Sequence, residues 1–325
     1  MFLGNYTHVT EFVIVGFPGL HPSYFQLMAW FFCFIYVTTI AGNLILVVLF
    51  ILERSLQKPM YIIMLSLALS DIGFSTAALP KAMARFWWND GGISFYMCLF
   101  QKQMIHYFGT LNSLIMMTMA MDRYLAICHP LRYAKLMNNR TMLILTALSW
   151  VSAMIAPGIS TVQSAQLTFC GPNQIIQCYC DTTSLNRLSC VDASFESTVS
   201  FIVAMFVLLV PFTFIIFSYV VIVVVVFMMA NAQSRWKTFS TCSSQLFIIS
   251  LYYIPRCGVY ISSLIKITIS QDFVISLTLL YSLLPPFLNP FIYCLRTKEI
   301  RMSLVKWACR RHSNTHPKPS IPTIA

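Results

Sequence analysis

Three polar side chains that could bind a cation lie in the middle of long apolar runs of this sequence: Asn43, Asp71 and Asn289. Polar groups among apolar residues are costly to bury, so each needs a partner or a function. Asp71 is the only acidic residue well inside such a run, and the two asparagines, with a cation and water, are its available partners. A purely structural hydrogen-bond network explains the same pattern, and the residues alone do not separate the two interpretations.

Two basic side chains, Arg256 and His106, lie in other apolar runs and could bind an anion. A buried guanidinium needs an anionic partner, and Arg forms paired hydrogen bonds with a carboxylate. The alternative partners for Arg256 are backbone carbonyls, Asp272 or a loop residue such as Asp181. His106 by itself is more typical of a satisfied contact between helices. The sequence lacks paired CxxC zinc motifs and nucleophile–base pairs, which disfavours a zinc site and an enzyme.

These side chains belong to long apolar runs that are separated by short polar connectors. The runs cover about residues 26–51, 60–83, 98–127, 141–162, 197–229, 239–266 and 272–295. A helix rises about 1.5 Å per residue, so about 20 residues span a hydrocarbon core of about 30 Å. With 58% hydrophobic and 10% charged residues, the chain is predicted to be an all-α integral membrane protein. We expect a seven-transmembrane helix bundle, then a short amphipathic helix at about 296–308 and a polar tail without regular structure.

The basic residues predict which way the runs are threaded. If the N-terminus is extracellular, only six of the 21 Lys and Arg residues lie away from the cytoplasmic side, and 15 face it. The positive-inside rule therefore predicts an extracellular tail at 1–25, a membrane domain at 26–296 and a cytoplasmic helix and tail at 297–325. Asn5 matches a glycosylation sequon in that outer tail. The net charge of +11 then follows from orientation and suggests contact with anionic lipid, with no reason to expect nucleic acid binding.

Five of the eleven cysteines fall on the predicted outer side, where oxidising conditions favour disulfides. They are Cys98, Cys170, Cys178, Cys180 and Cys190. Because five is odd, at least one of these thiols is expected to stay free or to pair elsewhere. The other cysteines are interpreted as small packing residues.

A set of motifs resembles a known family. Asp122-Arg123-Tyr124 follows Cys98 by about 37 Å of helix, which places it at the predicted cytoplasmic end. Here the chain resembles the rhodopsin-like G protein-coupled receptors, and more narrowly the olfactory receptors. Further matches, in order along nearly the whole chain, are Pro59-Met60-Tyr61, Leu65–Asp71, Ser218-Tyr219, Lys237–Ser244 and Pro285–Glu299. The chain departs from the olfactory pattern at Met121, usually Tyr, at Gln245, usually His, and at the additional Cys178.

The resemblance implies a receptor that binds a small odorant and activates a stimulatory olfactory-type G protein, which raises cAMP. It implies a location in the plasma membrane, in the cilia of olfactory neurons. A rhodopsin-like receptor for a lipid or peptide is the alternative. A transporter or channel is disfavoured, because paired helix breaks and ion-lined spans are missing. No cofactor is implied, apart from a structural sodium ion near Asp71.

The resemblance also assigns roles to individual residues. Asp122 would hold Arg123 in the resting state, and on activation Arg123 would turn toward a G protein helix. The other implied switch residues are Tyr124, Tyr219, Asn289, Pro290 and Tyr293. Asn43 and Asp71 would belong to a sodium and water network. The implied bridges are Cys98–Cys180 and Cys170–Cys190, which leave Cys178 as the odd thiol.

The ligand contacts are predicted in the outer half of the bundle, under the loop at 163–196. Ile105 stands where amine receptors carry an Asp, so an amine ligand is disfavoured. Arg256 is predicted to bind an acidic odorant, with His106 assisting. Family position adds further pocket residues: Phe108, Gly109, Asn112, Ala204, Tyr253, Val259 and Tyr281.

Overall fold

The computed structural model describes residues 9–169, 173–190, 192–229, 231–264 and 270–315. Over these residues the chain is a bundle of long helices with a small sheet at one end. The helices are α1 (Phe25–Leu52), α2 (Pro59–Trp88), α3 (Phe95–Cys128), α4 (Pro130–Leu136), α5 (Asn139–Ser152), α6 (Ile155–Gln166), α7 (Thr182–Arg187), α8 (Ser194–Met228), α9 (Ala232–Leu264), α10 (Gln271–Arg296) and α11 (Lys298–Thr315). The strands are β1 (Glu11–Ile14), β2 (Gly92–Ser94) and β3 (Gln174–Ile175).

The predicted spans correspond to α1, α2, α3, α5 with α6, α8, α9 and α10. Backbone groups surrounded by lipid must be hydrogen-bonded within their own segment, so these apolar runs fold as helices. Five of the described helical segments are long and apolar enough to cross a membrane. The remaining two, α3 and α9, have 34 and 33 residues, which is also long enough, and carry more polar side chains. The predicted bundle and the helix after its last span are confirmed.

Two boundaries differ from the prediction. The fourth span was expected as one run at 141–162, but α5 ends at Ser152 and α6 begins at Ile155. Pro157 has no N–H to donate to the carbonyl of Ala153, so the helix is interrupted there. The last helix runs to Thr315, beyond the expected end near residue 308. Residues 316–325 lie outside the described part.

The central helix of the bundle is α3, which contacts α2, α5, α6 and α8. The helix α1 packs on α2 and α10, and α9 packs on α10. Outward-facing side chains such as Leu27, Phe34 and Phe206 are 60–68% exposed. Such an apolar surface is a liability in water and matches a lipid environment.

The end of the bundle that contains Cys98, here named the Cys98 end, is covered by the chain that precedes α1 and by the loop between α6 and α8. Cys98 and Cys180 form a disulfide with Cα atoms 5.5 Å apart, which confirms the first implied bridge. The strand β1 pairs antiparallel with β2 and parallel with β3. Cys190 is also disulfide-bonded, but its implied partner Cys170 lies outside the described residues, as does Asn5. Cys178 is a free, fully buried thiol.

Candidate functional site

A cavity of about 780 Å³ lies below this covering, between α3, α6, α8, α9 and α10. Its volume falls in the range of small-molecule sites, about 300–1,000 Å³. The predicted contacts that line it are Ile105, His106, Gly109, Asn112, Ala204, Arg256, Val259 and Tyr281. The structure therefore brings these residues from four separate helices, α3, α8, α9 and α10, to one cavity.

Phe108 and Tyr253 are not among the residues that line the cavity. Phe108 packs on α2, where its ring lies against Gly73. Tyr253 is fully buried; its hydroxyl is 2.5 Å from Ser113 Oγ, and its ring stacks on Phe212 at 4.7 Å. Both side chains thus fill helix interfaces next to the cavity.

Arg256 lies at the cavity wall between two tyrosine rings. Its Cζ is 5.4 Å from the ring centroid of Tyr252 and 5.5 Å from that of Tyr281, which are cation–π distances. Its Nη1 donates a 2.6 Å hydrogen bond to Tyr252 Oη, and Tyr252 Oη donates a 2.6 Å bond to the carbonyl of Gly109. Both rings and the Tyr252 hydroxyl are uncharged groups.

The two carboxylates considered as internal partners of Arg256 are bonded elsewhere. Asp272 accepts hydrogen bonds from the backbone N–H of Gly19, at 3.1 Å to Oδ2. Asp181 caps α7 by accepting from Ser184 N at 3.2 Å, and burial raises the pKa of its carboxyl. Asp181 and Arg187 both line the cavity, so two cations and one carboxylate face it among the described residues, which favours an anionic occupant.

His106 contacts the loop that covers the cavity. Its Nε2 is 3.1 Å from Thr182 Oγ1, and Thr182 Oγ1 is 3.4 Å from Ser160 Oγ on α6. The contact is therefore one between helices, here α3 and the short helix α7. His106 therefore fixes the loop over the cavity and also lines it.

The sequence analysis missed Tyr179, a loop residue that lines the cavity, and Gln101, an α3 residue that binds the loop. Tyr179 reaches across the cavity, with its hydroxyl 3.3 Å from Ser282 Oγ on α10. Gln101 accepts from the backbone N–H of Cys180 at 3.0 Å. The implied Cys98–Cys180 bridge could have predicted both contacts, because a disulfide to Cys98 brings the neighbours of Cys180 onto α3.

The polar network around Asp71 lies deeper in the bundle. Asp71 is fully buried and accepts hydrogen bonds from Asn289 Nδ2 at 2.7 Å and from Asn112 Nδ2 at 3.3 Å. Asn43, expected as a partner, instead donates to the carbonyl of Pro286 at 3.1 Å and ties α1 to α10. Because Asn112 also lines the cavity, the network and the cavity share one side chain.

The opposite end of α3, here named the Arg123 end, carries the implied switch. Arg123 Nη2 is 3.3 Å from Asp122 Oδ2, and the Arg123 guanidinium also contacts Met60 Sδ. Asp122 is buried and accepts a 2.9 Å hydrogen bond from Tyr133 of α4. Burial, followed by the carboxylate of Asp122, raises the pKa of Tyr133 to about 12, so it remains a donor at physiological pH. Tyr124 Oη lies 3.3 Å from His129 Nε2.

Three further implied switch residues lie in α8 and α10. Tyr219 is buried and donates a 2.9 Å hydrogen bond to Gln245 Oε1. Tyr293 is buried, and with Gln245 it lines a second, water-sized cavity of about 10 Å³. Pro290 lies against Gly42 of α1, where an added Cβ would be only 3.0 Å from the proline ring.

Comparison with known proteins identifies the family to which this helix bundle belongs. A sequence profile described as "Olfactory receptor" matches residues 32–311. The chain belongs to the olfactory receptor family. It is therefore a G protein-coupled receptor rather than an enzyme, and the family generally implies an odorant ligand and a G protein partner.

Full-length relatives support this assignment. The receptor is 37% identical to "Olfactory receptor 1E16" of Mus musculus, over 94% of this chain and 97% of that protein. It is 34% identical to "Olfactory receptor 2AT4" of Homo sapiens, over 91% and 92% of the two chains. The crystal structure of squid rhodopsin superimposes with a TM-score of 0.68 at 17% identity, over 96% of this chain and 97% of that one, which shows the shared fold.

Proposed function

We propose that this receptor detects a small acidic odorant, whose carboxylate binds Arg256 in the cavity at the Cys98 end. The observation that carries this proposal is the position of Arg256: a guanidinium at the wall of a cavity of about 780 Å³, flanked by Tyr252 and Tyr281. Arg is the side chain best suited to a planar carboxylate, because its N–H groups match both oxygens. His106 contributes a polar edge to the same wall.

The proposed partner at the opposite end is a stimulatory olfactory-type G protein, so that odorant binding raises cAMP. Asp122 and Arg123 form an ion pair in the resting state. On activation, Arg123 separates from Asp122 and contacts the G protein. The proposal is supported by the 3.3 Å separation of the pair at a helix end and by the basic residues that the sequence concentrates there. With this threading, the N-terminus is extracellular, the C-terminus is cytoplasmic, and the receptor resides in the plasma membrane of olfactory cilia.

The proposed sodium ion would be held next to Asp71. Hard cations prefer oxygen ligands, and the Asp71 carboxylate lies among several buried oxygens. Ser70 Oγ, Asn112 Oδ1 and Asn289 Oδ1 are buried without a hydrogen-bond partner among the described residues, so they fit a cation or water. Over the same residues, no cluster of three or more His, Cys, Asp or Glu side chains could hold a transition metal. A bound cation would join α2, α3 and α10 in the resting state.

The decisive experiment is a cAMP dose–response screen of the parent and Arg256→Ala. The compounds are straight-chain and aromatic carboxylic acids, their neutral ester or amide isosteres, and amines. We expect acids to activate the parent, and Arg256→Ala to lower their potency by about 10- to 100-fold, as for loss of a charge-assisted bond. The matched control is Lys81→Gln, which removes a cation paired with Asp90 outside the cavity and should leave acid potency unchanged. Equal acid potency in Arg256→Ala and the parent contradicts the proposal.

A further inference from the structure

Two consecutive tyrosines of α9 join this helix to α3. Tyr252 Oη donates to the carbonyl of Gly109 at 2.6 Å, and Tyr253 Oη lies 2.5 Å from Ser113 Oγ. Both side chains are buried, with 4% and 0% of their surface exposed. Gly109 and Ser113 are one turn apart on α3, so the two hydrogen bonds hold the helices together over the same short stretch.

Only the Tyr252 hydroxyl also accepts a hydrogen bond from Arg256, although both Gly109 and Ser113 line the cavity. Tyr252 Oη accepts a 2.6 Å hydrogen bond from Arg256 Nη1 while it donates to Gly109, and Arg256 lies one turn further along α9. A hydroxyl that accepts from a cation is polarised and donates more strongly. The charge of Arg256 therefore strengthens the hold of α9 on α3. The hydroxyl of Tyr253 contacts Ser113, and its ring stacks on Phe212, so its bond to α3 does not pass through a hydrogen bond from Arg256.

The far part of the same helix lies at the implied switch. Gln245 of α9 accepts from Tyr219, and it precedes Tyr252 by seven residues, or about 10 Å of helix. In this structure the Asp122–Arg123 pair, the Tyr219–Gln245 bond and both tyrosine bonds to α3 are present together. The tyrosine bonds thus belong to the resting arrangement, and weakening them favours the alternative arrangement of α9.

We propose that Tyr252 is the positioning residue that couples occupancy of the anion site to the hold of α9 on α3. This inference rests on the proposed function, in which a carboxylate binds Arg256. The carboxylate offsets the guanidinium charge and competes with Tyr252 Oη for its N–H groups. The bond from Tyr252 to Gly109 weakens, and α9 is released at the Cys98 end. A neutral ligand in the same cavity lacks this effect, so Tyr252 also makes the response selective for acids.

The test is a double-mutant cycle read from ligand-free cAMP, normalised to receptor at the cell surface. Arg256→Gln is introduced into the parent, into Tyr252→Phe and into Tyr253→Phe. Removing the charge at Arg256, or the hydroxyl of Tyr252, should raise ligand-free activity about threefold, as expected for one modest hydrogen bond. Arg256→Gln should then add nothing in the Tyr252→Phe background, because the bond that it weakens is already gone. In the Tyr253→Phe background, Arg256→Gln should still raise ligand-free activity about threefold.

Additive effects of Arg256→Gln and Tyr252→Phe, or an unchanged ligand-free activity in Tyr252→Phe, overturn the inference. If Tyr252→Phe does not reach the surface, the cycle is repeated with Tyr252→Leu, which also cannot accept a hydrogen bond. This readout needs no odorant, so its result is independent of the ligand class.

A second measurement separates the two proposals. If Arg256→Ala abolishes the response to acids but Tyr252→Phe keeps the full rise above its own ligand-free level, the proposed function holds and the coupling role of Tyr252 fails. If acids act equally on Arg256→Ala and the parent, the proposed function fails instead. We expect acids to raise cAMP above the ligand-free level less in Tyr252→Phe than in the parent, and as much in Tyr253→Phe as in the parent.

Discussion

The hydroxyl of Tyr219 on α8 donates a 2.9 Å hydrogen bond to Oε1 of Gln245 on α9. Both residues are buried, with 4% and 9% of their surface exposed. Gln245 stands at a position where the family pattern usually has His. An amide oxygen accepts at any physiological pH, whereas an imidazole gains a proton near neutrality and loses its acceptor. This receptor therefore joins α8 to α9 through a bond that does not depend on pH.

Replacing Gln245 with Leu should raise ligand-free activity. The change removes the acceptor of a buried hydroxyl, and such a bond stabilises the state that contains it by about 1 kcal/mol, or roughly fivefold in population. The measurement is ligand-free cAMP per receptor at the cell surface. Gln245→His is the matched control, because neutral imidazole restores an acceptor and should return activity toward that of the parent. The same ligand-free activity in Gln245→Leu and the parent would show that the bond does not hold the resting state.

The helices and the Asp122–Arg123 ion pair were predictable because their signals are local. Seven apolar runs predicted the spans, and the Asp122–Arg123 pair follows from two adjacent residues. Helix ends were less accurate, since Pro157 removes one backbone donor inside an otherwise continuous apolar run. Periodicity alone does not register a single missing hydrogen bond.

The covering of the cavity was not predictable in the same way. The strand β1 is four residues long and pairs with β2 and β3, which are remote in sequence. Thr182 and Tyr179 acquire their roles only because the loop folds back onto α3 and α10. Asn112, rather than Asn43, lies beside Asp71 for a different reason, since small differences in helix rotation decide which amide reaches the carboxylate.

Sodium should lower the ligand-free activity of the parent, and Asp71→Asn should remove that effect. A cation bound by the Asp71 carboxylate stabilises the arrangement in which Asn112 and Asn289 converge on it. Replacing external NaCl by N-methylglucamine chloride should raise ligand-free cAMP about two- to threefold in the parent only. Asp90→Asn is the control, since Asp90 is an exposed carboxylate paired with Lys81, and it should retain the sodium effect. An equal sodium effect in Asp71→Asn and the parent rules out a site at Asp71.

Asp181→Asn should stabilise the purified receptor at pH 7 and lose this advantage in acid. Burial raises the pKa of Asp181 in the folded receptor above its ordinary value of 3.8. The protonated carboxyl therefore favours the folded state below pH 3.8, and this contribution to stability is lost as the pH rises through the folded pKa. Asn keeps an acceptor for Ser184 N without burying a charge. We expect Tm in detergent to rise by about 1–3 °C at pH 7, and the difference to narrow toward pH 4.

The control for this experiment is Asp181→Ala, which removes the cap of α7 altogether. It should lower Tm at both pH values, because an N-cap lost to Ala costs about 1 kcal/mol. A lower Tm in Asp181→Asn than in the parent at pH 7 would show that the charged carboxylate is stabilising. A difference that does not change with pH would show that ionisation of Asp181 is not its cause.

Cys178 should resist alkylation in the intact receptor. Its thiol is fully buried among apolar side chains of α2 and α10, and burial raises its pKa to about 12. Thiolate is the reactive form, so this thiol is almost entirely unreactive at pH 8, even before access is considered. A membrane-impermeant maleimide applied to whole cells should therefore leave Cys178 unmodified by mass spectrometry, and denaturation without reduction should expose it. Cys178→Ser serves to assign the labelled peptide. Rapid labelling in intact cells would mean that the loop over the cavity opens often enough to expose this thiol. It would contradict a loop held in place by the Cys98–Cys180 bridge and the contact of Tyr179 with Ser282.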